Sequence, residues 1–167
     1  MMQFTDFYDD IDLIAALFYC DILNNTDIYK IANHLNNKTS DDVLARIIAN
    51  GVNGNNKRLF DNYLNALGIK FFDSKRYLAA KFFYYILHNR IDFFKGIGFV
   101  HEYVSNNENI TKYVGDDIGI EQILGDYYAI ADGDITDEKD IKDLKKIILE
   151  EIQQYVKENL VEFSVGK

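Results

Sequence analysis

The chain has 167 residues, 48% of them hydrophobic and 14% aromatic, which is enough for one domain with a core and too apolar for a disordered chain. It carries 27 acids against 18 bases, a net charge of −9, a balance that repels nucleic acid and membrane phosphate and attracts basic proteins. Proline and tryptophan are absent and Cys20 is the one cysteine, so proline-rich linkers, cis-proline switches and an intramolecular disulfide framework are excluded.

The opening stretch, MMQFTDFYDDID, carries acids where a signal peptide needs bases. No apolar run approaches the ~18 uninterrupted residues of a membrane span, and the expectation is a cytoplasmic protein that does not engage membranes. Charge is unevenly placed: residues 1–29 hold six acids and no base, residues 30–114 hold twelve bases and seven acids, and residues 115–167 hold fourteen acids and six bases. The two ends are acidic and the middle is mildly basic.

In chain order, Phe4, Phe7, Ile11, Ile14, Phe18 and Ile22 recur at steps of three and four, predicting a first helix of about five turns. Leu13, Leu17 and Cys20 widen its apolar stripe, so the helix and its thiol are expected to be buried. Thr26 is the expected N-cap of a helix carrying Ile28, Ile31 and Leu35, and Thr39 or Ser40 that of one carrying Val43, Leu44, Ile47 and Ile48. Gly51 stops the latter, and GVNGNN (51–56) is the clearest loop.

Leu59, Phe60, Tyr63, Leu64 and Leu67 form the next stripe, closed by Gly68. Residues 77–87, YLAAKFFYYIL, are apolar nearly all round apart from Lys81, the pattern of a helix in the middle of a bundle. In the helical segment 91–104, Gly96 and Gly98 each weaken the helix by ~1 kcal/mol relative to Ala; close packing beside bulky Phe neighbours is the reading for both. A polar stretch at 105–119 precedes a short helix with Ile120, Ile123, Leu124, Tyr127 and Tyr128. A long last helix carries Ile141, Leu144, Ile148, Ile152 and Tyr155, and the tail VEFSVGK frays or forms a short strand. The fold expected is all-α, a single-domain irregular helical bundle of about seven to nine helices over residues 1–167.

Residues 131–140, ADGDITDEKD, are the place to look for calcium. Counted from Asp132, the loop has Asp137 where the sharp turn requires Gly, Lys139 where an apolar residue belongs, and Asp143 where the longer Glu is needed. Turn and cap account for it better: Gly133 takes positive φ, and Thr136 or Asp137 caps the last helix. His34, His88 and His101 lack zinc-binding spacing, no Gly-x-Ser-x-Gly elbow or P-loop occurs, and GIG at 96–98 lacks a third glycine. Adjacent carboxylates such as Glu150 and Glu151 point about 100° apart on a helix, so they read as solvated pairs. The basic stretches NNKRLF and DSKRYLAAK make a weak nucleic-acid footprint. The expectation is no enzyme, no cofactor, no metal and no nucleic-acid partner.

In size, acidity, helical make-up and lack of catalytic residues, the chain resembles the small cytoplasmic immunity proteins that bacteria pair with secreted toxins. The resemblance is one of composition, over the whole chain, with no motif behind it. It implies a basic protein partner, a secreted toxin domain, neutralised by occlusion of its active site. The contacts implied are acids and aromatics of 115–143: Asp116, Asp117, Glu121, Asp126, Tyr127, Tyr128, Asp132, Asp134 and Asp137. The alternative is a self-associating helical scaffold or regulator that uses aromatics left exposed around 71–103; from the enzyme class, a phosphodiesterase-like metal site built from scattered Asp and His stands third.

Overall fold

Adjacent acids divide the first expected helix. The computed structural model describes residues 4–71, 73–104 and 118–160. Phe4–Phe7 form a 3-10 turn, and α1 (Ile11–Tyr19) starts separately after it. The Asp10 carboxylate accepts the Leu13 amide at 3.1 Å. A short acid that takes a free amide competes with continued helix and starts a new one. The five-turn helix is therefore a turn followed by a nine-residue helix. Leu13 to Leu17 are all buried, and Cys20 is the half-buried C-cap. Asp21 then adopts φ 58°, and the Ile22 amide reaches Leu17 O at 3.0 Å, closing the helix in a left-handed turn.

The caps of the next two helices differ from those expected. Asn24, not Thr26, caps α2 (Asn25–Thr39), because Asn24 and Asp27 exchange side-chain-to-amide hydrogen bonds at 3.0 and 3.1 Å. Thr39 lies inside α2 and donates to Leu35 O, while Ser40 takes the left-handed end position at φ 52°. Asp41 caps α3 (Asp42–Asn50), accepting the Val43 and Leu44 amides. A carboxylate or amide outcompetes a neighbouring hydroxyl where it reaches two amides or completes a reciprocal pair. Gly51 ends α3 at φ 69°, as its position implied.

In the loop that follows, the fully buried Asn56 donates to Gly51 O at 2.9 Å and accepts from Asn50 at 3.2 Å. These bonds satisfy a polar side chain that would be costly to bury alone. α4 (Lys57–Ala66) buries Phe60, Tyr63 and Leu64, and Gly68 closes it at φ 74°. Successive neighbours pack, α2 on α3 and α3 on α4, as short connections favour.

α5 (Ser74–Leu87) buries Tyr77, Leu78, Ala79, Ala80, Phe82, Phe83, Tyr85 and Ile86, leaving Lys81 half-buried. That is the all-round burial its sequence implied. α6 (Phe93–Phe99) follows an Asp92 cap and runs into a π-helical turn, Val100–Val104. A Cβ at Gly96 would stand 2.6 Å from Ile86 Cδ1, so the close approach expected there is real and is made to Ile86. At Gly98 the nearest atom would be the Tyr127 hydroxyl, at an ordinary 3.4 Å.

α7 (Glu121–Ala131) and α8 (Glu138–Leu160) pack on each other. Ile148, Ile152 and Tyr155 make the buried stripe of α8; Phe83 meets the Tyr155 ring edge-on, and the Tyr155 hydroxyl donates to Ile118 O at 2.9 Å.

The fold is all-α: eight α-helices and no strand among the described residues. Contacts gather into two compact units that divide in sequence at Ser74, the first residue of α5. No described helix is long and apolar enough to cross a membrane. The tail 161–167 and residues 105–117 of the polar stretch lie outside the described residues.

Candidate partner-binding face

The stretch 131–140 is both the end of one helix and the start of the next. The Asp132 amide bonds to Tyr128 O at 2.8 Å and the Gly133 amide to Ile130 O at 3.2 Å, with Gly133 at φ 79°. A left-handed residue after a helix is the usual place for glycine. Asp137 then accepts the amides of Lys139 and Asp140 at 2.9 and 3.2 Å. Of the two caps expected, Asp137 is the one used. Glu138 and Asp140 follow in the first turn of α8, where the helix dipole stabilises negative charge.

Asp132, Asp134 and Asp137 are exposed, and none of them makes an ion pair among the described residues. Glu121 is exposed in the first turn of α7. Asp116 and Asp117 lie outside the described residues.

The other three positions sit more deeply. Tyr127 and Tyr128 are half-buried: Tyr127 packs 6.0 Å from the Phe94 ring, and Tyr128 stands edge-on to His101 at 5.2 Å. Burial raises the Tyr128 hydroxyl's pKa, with smaller contributions from Tyr127 and the Asp132 carboxylate one turn on. Asp126 is also half-buried and accepts from Gln122 Nε2 at 3.1 Å. It faces α8, where its charge adds to the burial that raises the pKa of Glu151. Glu151 Oε2 is buried without a hydrogen-bond partner among the described residues. The structure thus brings Asp132, Asp134 and Asp137 to one turn, leaves Tyr128 half-buried against His101, and directs Asp126 and Tyr127 into packing.

Two features were missed in the sequence. Glu151 read as half of a solvated doublet, yet it lies three residues after Ile148 and four before Tyr155, on the buried stripe; that spacing was the available signal. The second lies in residues 1–74, where Asp9 accepts from His34 Nε2 at 2.6 Å and pairs with Lys38. Lys38 first, then His34, hold the Asp9 carboxyl below the usual range, and the His34 ring meets Tyr8 edge-on. His34 and Lys38 stand one turn apart on α2, but nothing local to them names Asp9 as their partner.

No family model, curated protein or solved structure matches this chain. Among the described residues no group of three or more His, Cys, Asp or Glu side chains is gathered so as to hold a metal ion.

Proposed function

We propose that this chain is a non-enzymatic binding protein of the immunity type, which silences a basic toxin domain by covering its active site with the turn between α7 and α8. One observation carries the reading: Asp132, Asp134 and Asp137 are exposed together in a turn held at both ends by helix hydrogen bonds. Because the backbone there is already ordered, little conformational entropy is lost on binding. Unpaired carboxylates give a local negative field over the ~8–10 Å of a Debye length, which speeds encounter with a basic surface. The half-buried Tyr128, whose hydroxyl senses the Asp132 charge, supplies an aromatic edge next to that acid, and aromatic residues commonly anchor such interfaces. Occlusion asks nothing of the chain beyond shape and charge.

The scaffold alternative requires exposed aromatics between 71 and 103. Among the described residues in that range, Tyr103 is the one large hydrophobic side chain with high exposure, which favours the acidic turn over self-association.

The test pairs capture with rescue. The chain is immobilised to capture partners from its native cell, and co-expressed with the basic toxin domain that is captured. Growth should be restored by the wild type. Asp132→Lys and Asp134→Lys combined with Asp137→Asn, which keeps a capping side chain, should weaken capture by about tenfold or more. Rescue with unaltered binding by the variant would remove the turn from the interface; no rescue by any form would remove the immunity reading. A salt-insensitive oligomer in light scattering, with no capture, would support the scaffold.

A further inference from the structure

A cleft within residues 1–74 combines aromatic walls with unspent polar groups, and nothing in it depends on the acidic turn. α1 ends at Tyr19, whose hydroxyl donates to Asp61 Oδ1 on α4 at 3.2 Å. The Tyr19 ring meets the Phe18 and Phe71 rings edge-on, at 5.4 and 6.0 Å between centroids. Its position is thus fixed by several contacts, yet Tyr19 keeps 37% exposure. α4 closes in a left-handed turn: the Gly68 amide bonds to Asn65 O at 3.0 Å and the Ile69 amide to Leu64 O at 3.3 Å. This paired bonding turns the chain back at the helix end, and the segment that follows brings Phe71 to Tyr19. The cleft they form measures about 470 Å³ and is lined by Tyr19, Asn65, Ile69, Lys70, Phe71 and Ser74. The side chains of Asn65, Lys70 and Ser74 make no hydrogen bond or ion pair among the described residues.

We propose that this cleft binds a small aromatic monocarboxylate, its ring laid against Tyr19, Phe71 and Ile69 and its carboxylate held by Lys70, Asn65 and Ser74. The volume lies within the ~300–1,000 Å³ of small-molecule sites, which are mostly apolar with a few placed polar groups. Two rings set edge-on favour a flat ligand ring, which can stack on one while turning its positive edge to the other. A saturated ring of the same size lacks that edge. The head group follows from the donors. Lys70 can only donate, and Asn65 and Ser74 can each donate as well, so an acceptor-only carboxylate uses all three. A primary amide head brings its own NH2, which Lys70 cannot accept. Selection thus comes from these donors and not from a summed charge: Asp61 and Asp73 stand outside the lining, and Asp61 is engaged by the Tyr19 hydroxyl.

The experiment titrates the ¹⁵N-labelled chain with sodium phenylacetate and, in parallel, with phenylacetamide and sodium cyclohexylacetate. Phenylacetate should shift the amides of Tyr19, Asn65, Ser74 and residues 69–71, and should bind more tightly than either analogue. Lys70→Met removes the ammonium at an exposed position; it should lose about fivefold in phenylacetate affinity while phenylacetamide binding stays unchanged. Lys70→Gln, which can accept from an amide, should narrow the gap between acid and amide and supplies the comparison should the first variant melt early. No saturable shift at millimolar phenylacetate, shifts absent from these residues, an analogue that binds as tightly as phenylacetate, or wild-type phenylacetate affinity in both variants would overturn the proposal.

Discussion

Helices α5 and α8 bury themselves in opposite ways. α5 hides eight of its fourteen residues, including Phe82, Phe83 and Tyr85, and of the others Arg76 alone is exposed. α8 runs for 23 residues and buries three of them, Ile148, Ile152 and Tyr155. The first helix is devoted to packing; its side chains hold neighbours such as Phe99 and Tyr155. The second is anchored by one stripe flanked by half-buried side chains such as Leu149 and Glu151, and its outer side and the acidic turn that launches it are exposed. Burial is thus concentrated in α5 and confined to a stripe in α8, and truncations on the two helices should differ in cost accordingly.

The sharpest way to break that comparison is a pair of truncations. Phe83→Ala should cost ~3–5 kcal/mol, since it removes a fully buried ring from a packed core. Ile147→Ala, on the exposed side of α8 at 47% exposure, should change stability by no more than ~0.5 kcal/mol. Denaturant unfolding measures both, and similar losses would show that the open side of α8 packs as heavily as α5.

A smaller effect is expected at the turn. Asp137→Ala should cost ~1 kcal/mol, because the Lys139 and Asp140 amides lose their acceptor. Asp137→Asn, with an equally good capping side chain, should be almost silent. Thr136→Ala should be silent too, and a loss there as large as at Asp137 would reassign the cap.

Last comes a gain on the buried side of α8. Burial first, then the Asp126 charge, raise the pKa of Glu151 above its ordinary 4.5, so ionising this carboxyl costs more in the folded chain than in the unfolded one. Its penalty is full at neutral pH, shrinks as pH falls through the raised folded value, and is gone below the ordinary value. Glu151→Gln should therefore stabilise the chain only slightly at pH 7, by no more than ~0.5 kcal/mol because solvent screens a half-buried carboxylate, with no gain at pH 4. Thermal melts at the two pH values check it; a gain that persists in acid would trace the effect to packing.

Much of the helix pattern was legible in the chain. α5 was recognisable from an apolar run broken only by Lys81, and α8 from Ile148, Ile152 and Tyr155 at helical spacing, because burial of one face imposes that period. Gly51, Gly68 and Gly133 marked helix ends, since each occupies positive φ. The caps were less legible. Thr26, Thr39 and Ser40 stand within two residues of the caps actually used, Asn24 and Asp41, and the choice among adjacent polar side chains depends on which one reaches two amides or a reciprocal partner. The break between the 3-10 turn and α1 was hidden for the same reason: Phe4, Phe7 and Ile11 keep helical spacing across an Asp10 that diverts the backbone.

The candidate face was legible as charge and not as geometry. The density of acids from Asp132 to Asp140 was plain, as was the turn at Gly133. That Asp126 faces Glu151, that Tyr127 and Tyr128 rest on Phe94 and His101, and that Tyr19 and Lys70 border one cleft involve residues distant in sequence.

By itself the sequence determined the helical class, the buried helix α5, the cap-and-turn character of 131–140 and the acidic C-terminal third, because these follow from periodicity, backbone preference and net charge, all local or additive. Only the tertiary structure decided which acids remain open, which are drawn into packing, and that Lys145 rests over the Phe93 and Phe94 rings. Those outcomes depend on contacts between helices, and desolvation acts on a side chain according to what surrounds it in space.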